Sequence, residues 1–263
     1  MTLSKVSVVV PIFNGERFIG EALGSLRREQ EIEAEIIVAD DGSTDGSVDA
    51  VKALAEQDSR IRLITGEHRG VSATRNIGVR AATGEYITFL DCDDICPPGR
   101  IARQVRKLVS NPGVAAVVGE TLCFEALTPD LNPVPGTRHM RMLCVNLHSA
   151  LFDRSVFETY GFFDETLELS EDLDFLLRLS ETGARFLIET EVASLYRRHA
   201  DNITNNFQRL RKTTLAALQR SIARRRASGC NEPLDPFFMQ RFTMDTIFSS
   251  TGSECIPVSA ADV

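Results

Sequence analysis

The sequence predicts an α/β domain built on a mainly parallel sheet flanked by helices. Short, almost continuous runs of β-branched residues alternate with segments whose apolar residues recur at helical spacing. Three of the first four runs end in unusual polar or acidic residues, as expected where ligand-binding loops gather at the carboxyl ends of parallel strands. Residues 4–10 read as a first strand buried on both faces. Phe18, Ile19, Ala22, Leu23 and Leu26 then mark a helix. Residues 35–39 form the second strand, and Asp45 is placed to N-cap the helix carrying Val48, Val51 and Leu54. Residues 61–64, 71–82 and 86–90 read as strand, helix and strand. Pro98 suits the first turn of the following helix, whose core face is Ile101, Val105 and Leu108.

The second half is less regular. Residues 114–118 are strand-like, 127–135 hold three prolines and read as a loop, 172–181 read as a helix and 193–196 as a short strand. Residues 207–227 form a helical pattern with seven basic side chains and no acid. The last residues have little pattern, the composition of a disordered tail. The expected organisation is therefore one domain over residues 1–204, with a helical extension over 205–263.

Composition narrows the function. A net charge of -8 disfavours nucleic acid as the main partner. No apolar run approaches membrane-spanning length, and residues 1–5 leave no room for a signal peptide before the first strand, so a cytoplasmic address is expected. Six scattered cysteines fit no disulfide framework. The spacing of Cys92, Cys96, His139, Cys144 and His148 matches no zinc pattern.

The acids carry more information. Asp40 and Asp41 end one strand, and Asp91, Asp93 and Asp94 end another. A single such acid is best read as a helix cap. Several on one rim repel one another and call for a cation or dedicated donors. Hard carboxylates suit Mg²⁺ or Mn²⁺ shared with substrate phosphates. A calcium loop starting at Asp41 fails, because its twelfth position is Lys52. Neither a Walker A sequence nor a GxGxxG turn is present.

Taken in order, Ser7-Val8-Val9-Val10-Pro11-Ile12-Phe13-Asn14, Val38-Ala39-Asp40-Asp41-Gly42-Ser43-Thr44-Asp45, Gly70-Val71-Ser72-Ala73-Thr74-Arg75-Asn76-Ile77-Gly78 and Phe89-Leu90-Asp91-Cys92-Asp93-Asp94 resemble the family 2 glycosyltransferases of the GT-A fold. Gly161-Phe162-Phe163-Asp164-Glu165 and the stretch from Ser170 to Leu179 extend the resemblance, which covers roughly residues 4–200. It implies a nucleotide-sugar-binding half over about 1–100 and an acceptor-binding half over about 101–204. It also implies an inverting transfer from a nucleoside-diphosphate sugar, preferentially a UDP-sugar, to a saccharide or lipid-linked saccharide hydroxyl. The family's common occupation is surface polysaccharide or glycoconjugate synthesis.

The resemblance assigns roles to residues. Asp41 contacts the base, with Pro11 and Phe13 lining its pocket. Arg75 lies near the diphosphate, the alternative being a surface salt bridge. Asp93 is the direct metal ligand and Asp91 a ribose or outer contact, with Cys92 a packing residue between them. Asp172 is the general base, with Glu171 shaping the acceptor site; both also suit the N-terminus of a helix. His199, in Tyr196-Arg197-Arg198-His199, is a metal ligand or diphosphate contact, or a packing residue. Two departures stand out: Phe13 replaces a common tyrosine, and Leu173 replaces a frequent tryptophan in a chain that has none.

Two competing functions make different demands. A nucleotidyltransferase would want a Gly-rich basic loop after the first strand, where this chain has one glycine and an acid. A non-catalytic sugar-nucleotide-binding or scaffold protein would be expected to lose the cleft acids, which are present. The basic helix also suits contact with an anionic membrane surface, or a solvated face packed back on the domain.

Overall fold

The computed structural model describes residues 5–143 and 146–229. The predicted strand start at Ser4, Cys144 and the predicted tail lie outside them. The first half alternates as predicted: β1 (Val6–Ile12), α1 (Glu16–Arg27), β2 (Ala34–Asp40), α2 (Ser47–Ala55), β3 (Ile61–Thr65), α3 (Val71–Ala81), β4 (Tyr86–Phe89) and α4 (Arg100–Ser110). These strands lie in the order β3-β2-β1-β4, all parallel. Alternate residues of β1 explain its unbroken apolarity. Val6, Val8, Val10 and Ile12 enter a core layer shared with α1, α2 and α4, while Val9 joins a second layer on the other face.

Local boundaries differ from the sequence reading for physical reasons. β1 continues through Pro11 and Ile12, in register with Ala39 and Asp40. The Val9 carbonyl accepts from Leu90 on the β4 side, and the Ile12 carbonyl from Asp41 on the β2 side. Main-chain groups alternate, so the N–H that proline lacks falls on the β4 side, past β4's last paired residue. Asp45 is not the N-cap of α2, which begins after Gly46. Its carboxylate instead accepts the Ser47 and Glu16 N–H groups, while Glu16 accepts from Gly46, so the starts of α1 and α2 cap each other. Pro98 precedes α4 rather than entering it, because Gly99 turns the chain in a left-handed conformation (φ 71°).

The second half contributes β5 (Ala116–Phe124), β6 (His139–Met142), β7 (Ala150–Asp153), α5 (Ser155–Tyr160), α6 (Glu171–Glu181), β8 (Phe186–Arg197) and α7 (Phe207–Ser228). β7 pairs antiparallel with β4 and β5, β6 antiparallel with β5, and β8 parallel with β5. The sheet is thus parallel on one side and mixed on the other. β8 is far longer than predicted, since Glu189 masks its strand character. That acid is buried and paired with Arg103 and Lys107 of α4.

α6 is apolar on two faces. Phe175, Leu176 and Leu179 meet the sheet-side core, while Leu173 and Leu177 pack on Ala217 of α7. α7 therefore forms a layer outside α6. Two of its basic residues are half-buried against the domain, Arg220 pairing with Asp164 and Arg224 with Asp174 and Glu181, while Arg209 makes an exposed pair with Glu168. On the sheet's α3 side, Gly78 lies so close to β1 that an added Cβ would sit 2.3 Å from Val9 Cγ1.

Candidate active site

Strand direction decides which loops meet. β1, β2, β3 and β4 are parallel, and β8, reached through two antiparallel steps and one parallel one, runs the same way. The segments after β1, β2, β3, β4 and β8, and the turn before β7, therefore share one rim. α3 and α6 also start there.

At one end of the rim stands Asp41. Its carboxylate accepts the N–H groups of Arg69 (2.8 Å) and Gly70 (3.0 Å), and His68 Nδ1 lies 2.8 Å away. The His68 ring stacks on Phe13 with centroids 4.2 Å apart, and Phe13 is 45% exposed. Asp41 thus holds the loop entering α3 beside an open aromatic face. Pro11 is buried within β1, so Phe13 and His68, rather than Pro11, present the surface at this corner.

Arg75 occupies the centre. It lies in the second turn of α3, not at the helix start, and is only 7% exposed. One guanidinium nitrogen donates to Asp91 Oδ1 (2.7 Å) and another to Glu171. This is no surface salt bridge. Burial opposes the charge, yet Asp91, Glu171 and then Asp172 hold it above the usual arginine range. In return, and against its own burial, Asp91 is held below the usual carboxylate range by Arg75 and His148.

Asp93 and His199 are brought together, with Nε2 lying 3.0 Å from Oδ2. Phe18 stacks near the His199 ring (4.6 Å), and Asn202 fixes the main chain at His199. Cys92 packs against the first core layer, and its thiol is pushed well upward by burial and by Asp93, Asp91 and Asp94. At α6, Glu171 is buried and committed to Arg75, while half-buried Asp172 accepts the Leu173 N–H (2.7 Å) at the helix start. Ser170, in a left-handed conformation (φ 62°), links that start to Thr213 and Thr214 of α7 through its hydroxyl.

Sequence reasoning gave His68 no role, counted Asp94 only among the rim acids that call for a cation, and set His148 aside with a zinc spacing that fails. His148 Nδ1 lies 3.5 Å from Asp91 Oδ2 and 3.4 Å from Asp94 Oδ2. Among the described residues, Asp91, Asp94 and His148 form the one group of three or more such side chains close enough together to share a metal ion. The third acid after β4 was a usable signal. His148 had none, since only the antiparallel return of β7 places it here.

The family model for glycosyl transferase family 2 matches residues 7–161, more than half of the chain. EpsJ of Bacillus subtilis, an uncharacterized glycosyltransferase, is 29% identical over 215 residues, covering 76% of this chain and 62% of that protein. An uncharacterized glycosyltransferase of Haemophilus influenzae is 33% identical over 112 residues, covering 42% and 45% of the two chains. The chain thus spans about three fifths or less of the length of these relatives. A mannosyltransferase of Pyrobaculum calidifontis, solved with GDP-Man and Mn²⁺, superposes with a TM-score of 0.67 at 22% identity, over 89% of this chain and 66% of that one. Staphylococcus aureus TarS (1–349), solved with UDP-GlcNAc, gives 0.60 at 19% identity, over 77% and 61%. These two likenesses establish the GT-A fold; by its family match, this chain belongs to glycosyl transferase family 2.

Proposed function

We propose that the chain is an inverting glycosyltransferase that moves a sugar from a nucleoside-diphosphate sugar, preferentially a UDP-sugar, to a saccharide or lipid-linked saccharide hydroxyl. The observation that carries this reading is Arg75, whose buried guanidinium joins the strand-end acid Asp91 to Glu171 beside Asp172. Donor chemistry and acceptor chemistry thereby meet at one point. The relatives named glycosyltransferases, and the similar folds solved with GDP-Man and UDP-GlcNAc, support a nucleotide-sugar donor.

In this reading Phe13 and His68 stack against the base beside Asp41, and Arg75 lies near the diphosphate. Asp172 accepts the proton of the acceptor hydroxyl as that oxygen bonds to the anomeric carbon. The bond to the diphosphate oxygen breaks on the opposite face, so configuration inverts without a covalent sugar–enzyme intermediate. The donor set fits a divalent cation, Mg²⁺ or Mn²⁺, because carboxylate and imidazole already converge at Asp93 and His199. Such an ion, when bound, neutralises charge on the departing diphosphate. Asp91 then serves as an outer contact held by Arg75.

Calorimetric titration with UDP and GDP, with and without Mn²⁺, tests the donor site in the wild type and in Asp93→Ala. Metal-dependent binding that is lost in the variant is expected. Binding of GDP alone would correct the base. Failure of UDP, GDP and dTDP alike would favour a non-catalytic protein. Phe13→Ala should weaken nucleotide binding by about 1–3 kcal/mol, the usual worth of a base–aromatic stack; unchanged affinity would remove Phe13 from the base pocket.

A peripheral membrane contact through α7 is the second part of the proposal. With Arg220 and Arg224 drawn against the domain and Arg209 paired with Glu168, Arg211, Lys212 and Arg226 remain exposed beside exposed Leu215 and Ile222. No described helix is long and apolar enough to cross a membrane. Co-sedimentation with anionic vesicles should fall when Arg211, Lys212 and Arg226 are changed to glutamine. Equal binding by wild type and variant would exclude this face.

A further inference from the structure

Asp91 and Asp94 share an unusual division of labour. In each, one carboxylate oxygen is held by the protein: Asp91 Oδ1 by Arg75 (2.7 Å), and Asp94 Oδ1 by the Arg197 N–H (2.9 Å). The other oxygen of each turns toward the same atom, His148 Nδ1, at 3.5 and 3.4 Å. Asp94 is 1% exposed, and its Oδ2 accepts no hydrogen bond. A buried carboxylate oxygen left in this state is costly. A neutral imidazole offers one N–H at Nδ1 and cannot satisfy both acids at once. His148 is itself 9% exposed, and its ring lies against Tyr196 (5.5 Å between centroids).

The three ligand atoms all lie within 4.8 Å of one another, and two of their separations match a coordination shell. Ligands about 2.0–2.2 Å from a tetrahedral ion stand roughly 3.3–3.6 Å apart, and both His148 distances fall in that interval. We propose that Asp91, Asp94 and His148 form an inner divalent-cation site, distinct from the Asp93–His199 pair and filled without nucleotide. One imidazole with two carboxylates favours an ion of the Mn²⁺ or Zn²⁺ class over Mg²⁺. The two sites have no ligand in common, and each draws its histidine from a different segment, the turn before β7 or the loop after β8. A cation here offsets the crowding of Asp91, Asp93 and Asp94 on one short loop before any donor arrives.

The test is nucleotide-free. The full chain, stripped of metal, is titrated with Mn²⁺ and then Zn²⁺ by calorimetry, and the retained metal is counted after gel filtration. The wild type should retain a cation, and His148→Gln and Asp94→Asn should each weaken that equivalent by at least the roughly 10–100-fold that loss of a mere outer-shell partner costs. His199→Gln should keep it. Loss in His199→Gln with retention in His148→Gln, loss in both sets, or no cation bound without nucleotide would each overturn the inner site. Should the variants fold poorly, histidine-ring NMR of the wild type decides. Substoichiometric Mn²⁺ should broaden the His148 resonances, and broadening confined to His199 would refute the assignment. A chain that holds this cation yet binds no nucleoside diphosphate would refute the transferase reading and leave the inner site standing.

Discussion

Asp172→Asn should lower kcat about 10²–10⁴-fold, the range for loss of a general base, while leaving affinity for the nucleoside diphosphate nearly unchanged. The separation follows from position. Asp172 sits at the start of α6, and the hydrogen bond it accepts from the Leu173 N–H can be kept by asparagine's carbonyl. The helix start therefore stays intact while the proton acceptor is removed. Donor-dependent sugar transfer, measured beside calorimetric nucleotide binding, checks both halves. Full activity in Asp172→Asn would move the base elsewhere, and loss of nucleotide binding would show a donor-side role.

Arg75→Met should cost stability on the order of 3–5 kcal/mol, the penalty for removing one partner of a buried ion pair. It leaves Asp91 and buried Glu171 without their shared cation. The double variant Arg75→Met/Glu171→Gln should recover part of the loss, because one unpaired charge disappears. The pH dependence has a definite sign. Asp91 is depressed in the folded chain, so its contribution is present above the unfolded value and disappears only as pH falls through the lower folded value. In Arg75→Met the cation that offsets Asp91's burial is gone, so burial pushes its carboxyl upward and it takes up a proton in a milder range. The variant's deficit should therefore shrink between about pH 7 and about pH 5, as read by urea unfolding. A constant deficit would mean that lost packing, rather than charge, sets the cost.

The parallel half of the sheet was legible because its strands are short, largely apolar runs and three of the four end in a chemically unusual turn. Asp41, Arg75, Asp91, Asp93 and Asp172 stood out because they fall in the ordered blocks that carry the family resemblance, from which the roles proposed for them come. The mixed half was not. β7 is four residues long, and β8 carries Glu189 at a position where only pairing with α4 permits an acid. His148 could not be placed without the register of β7. Glu171 looked like an acceptor contact beside Asp172; its commitment to Arg75 depends on how α3 and α6 meet, which neither segment encodes alone.

The missing side chain at Gly78 governs more than helix packing. Arg75 lies three positions earlier, on the same flank of α3, so the distance between helix and sheet sets how deep its guanidinium reaches. A glycine inside a helix ordinarily weakens it by roughly 0.5–1 kcal/mol relative to alanine. Here that weakness is the condition for reach. One methyl group at position 78 would lift the helix like a shim and draw the charge away from between Asp91 and Glu171. A substitution that improves the helix as a helix would thus detune a centre it never touches.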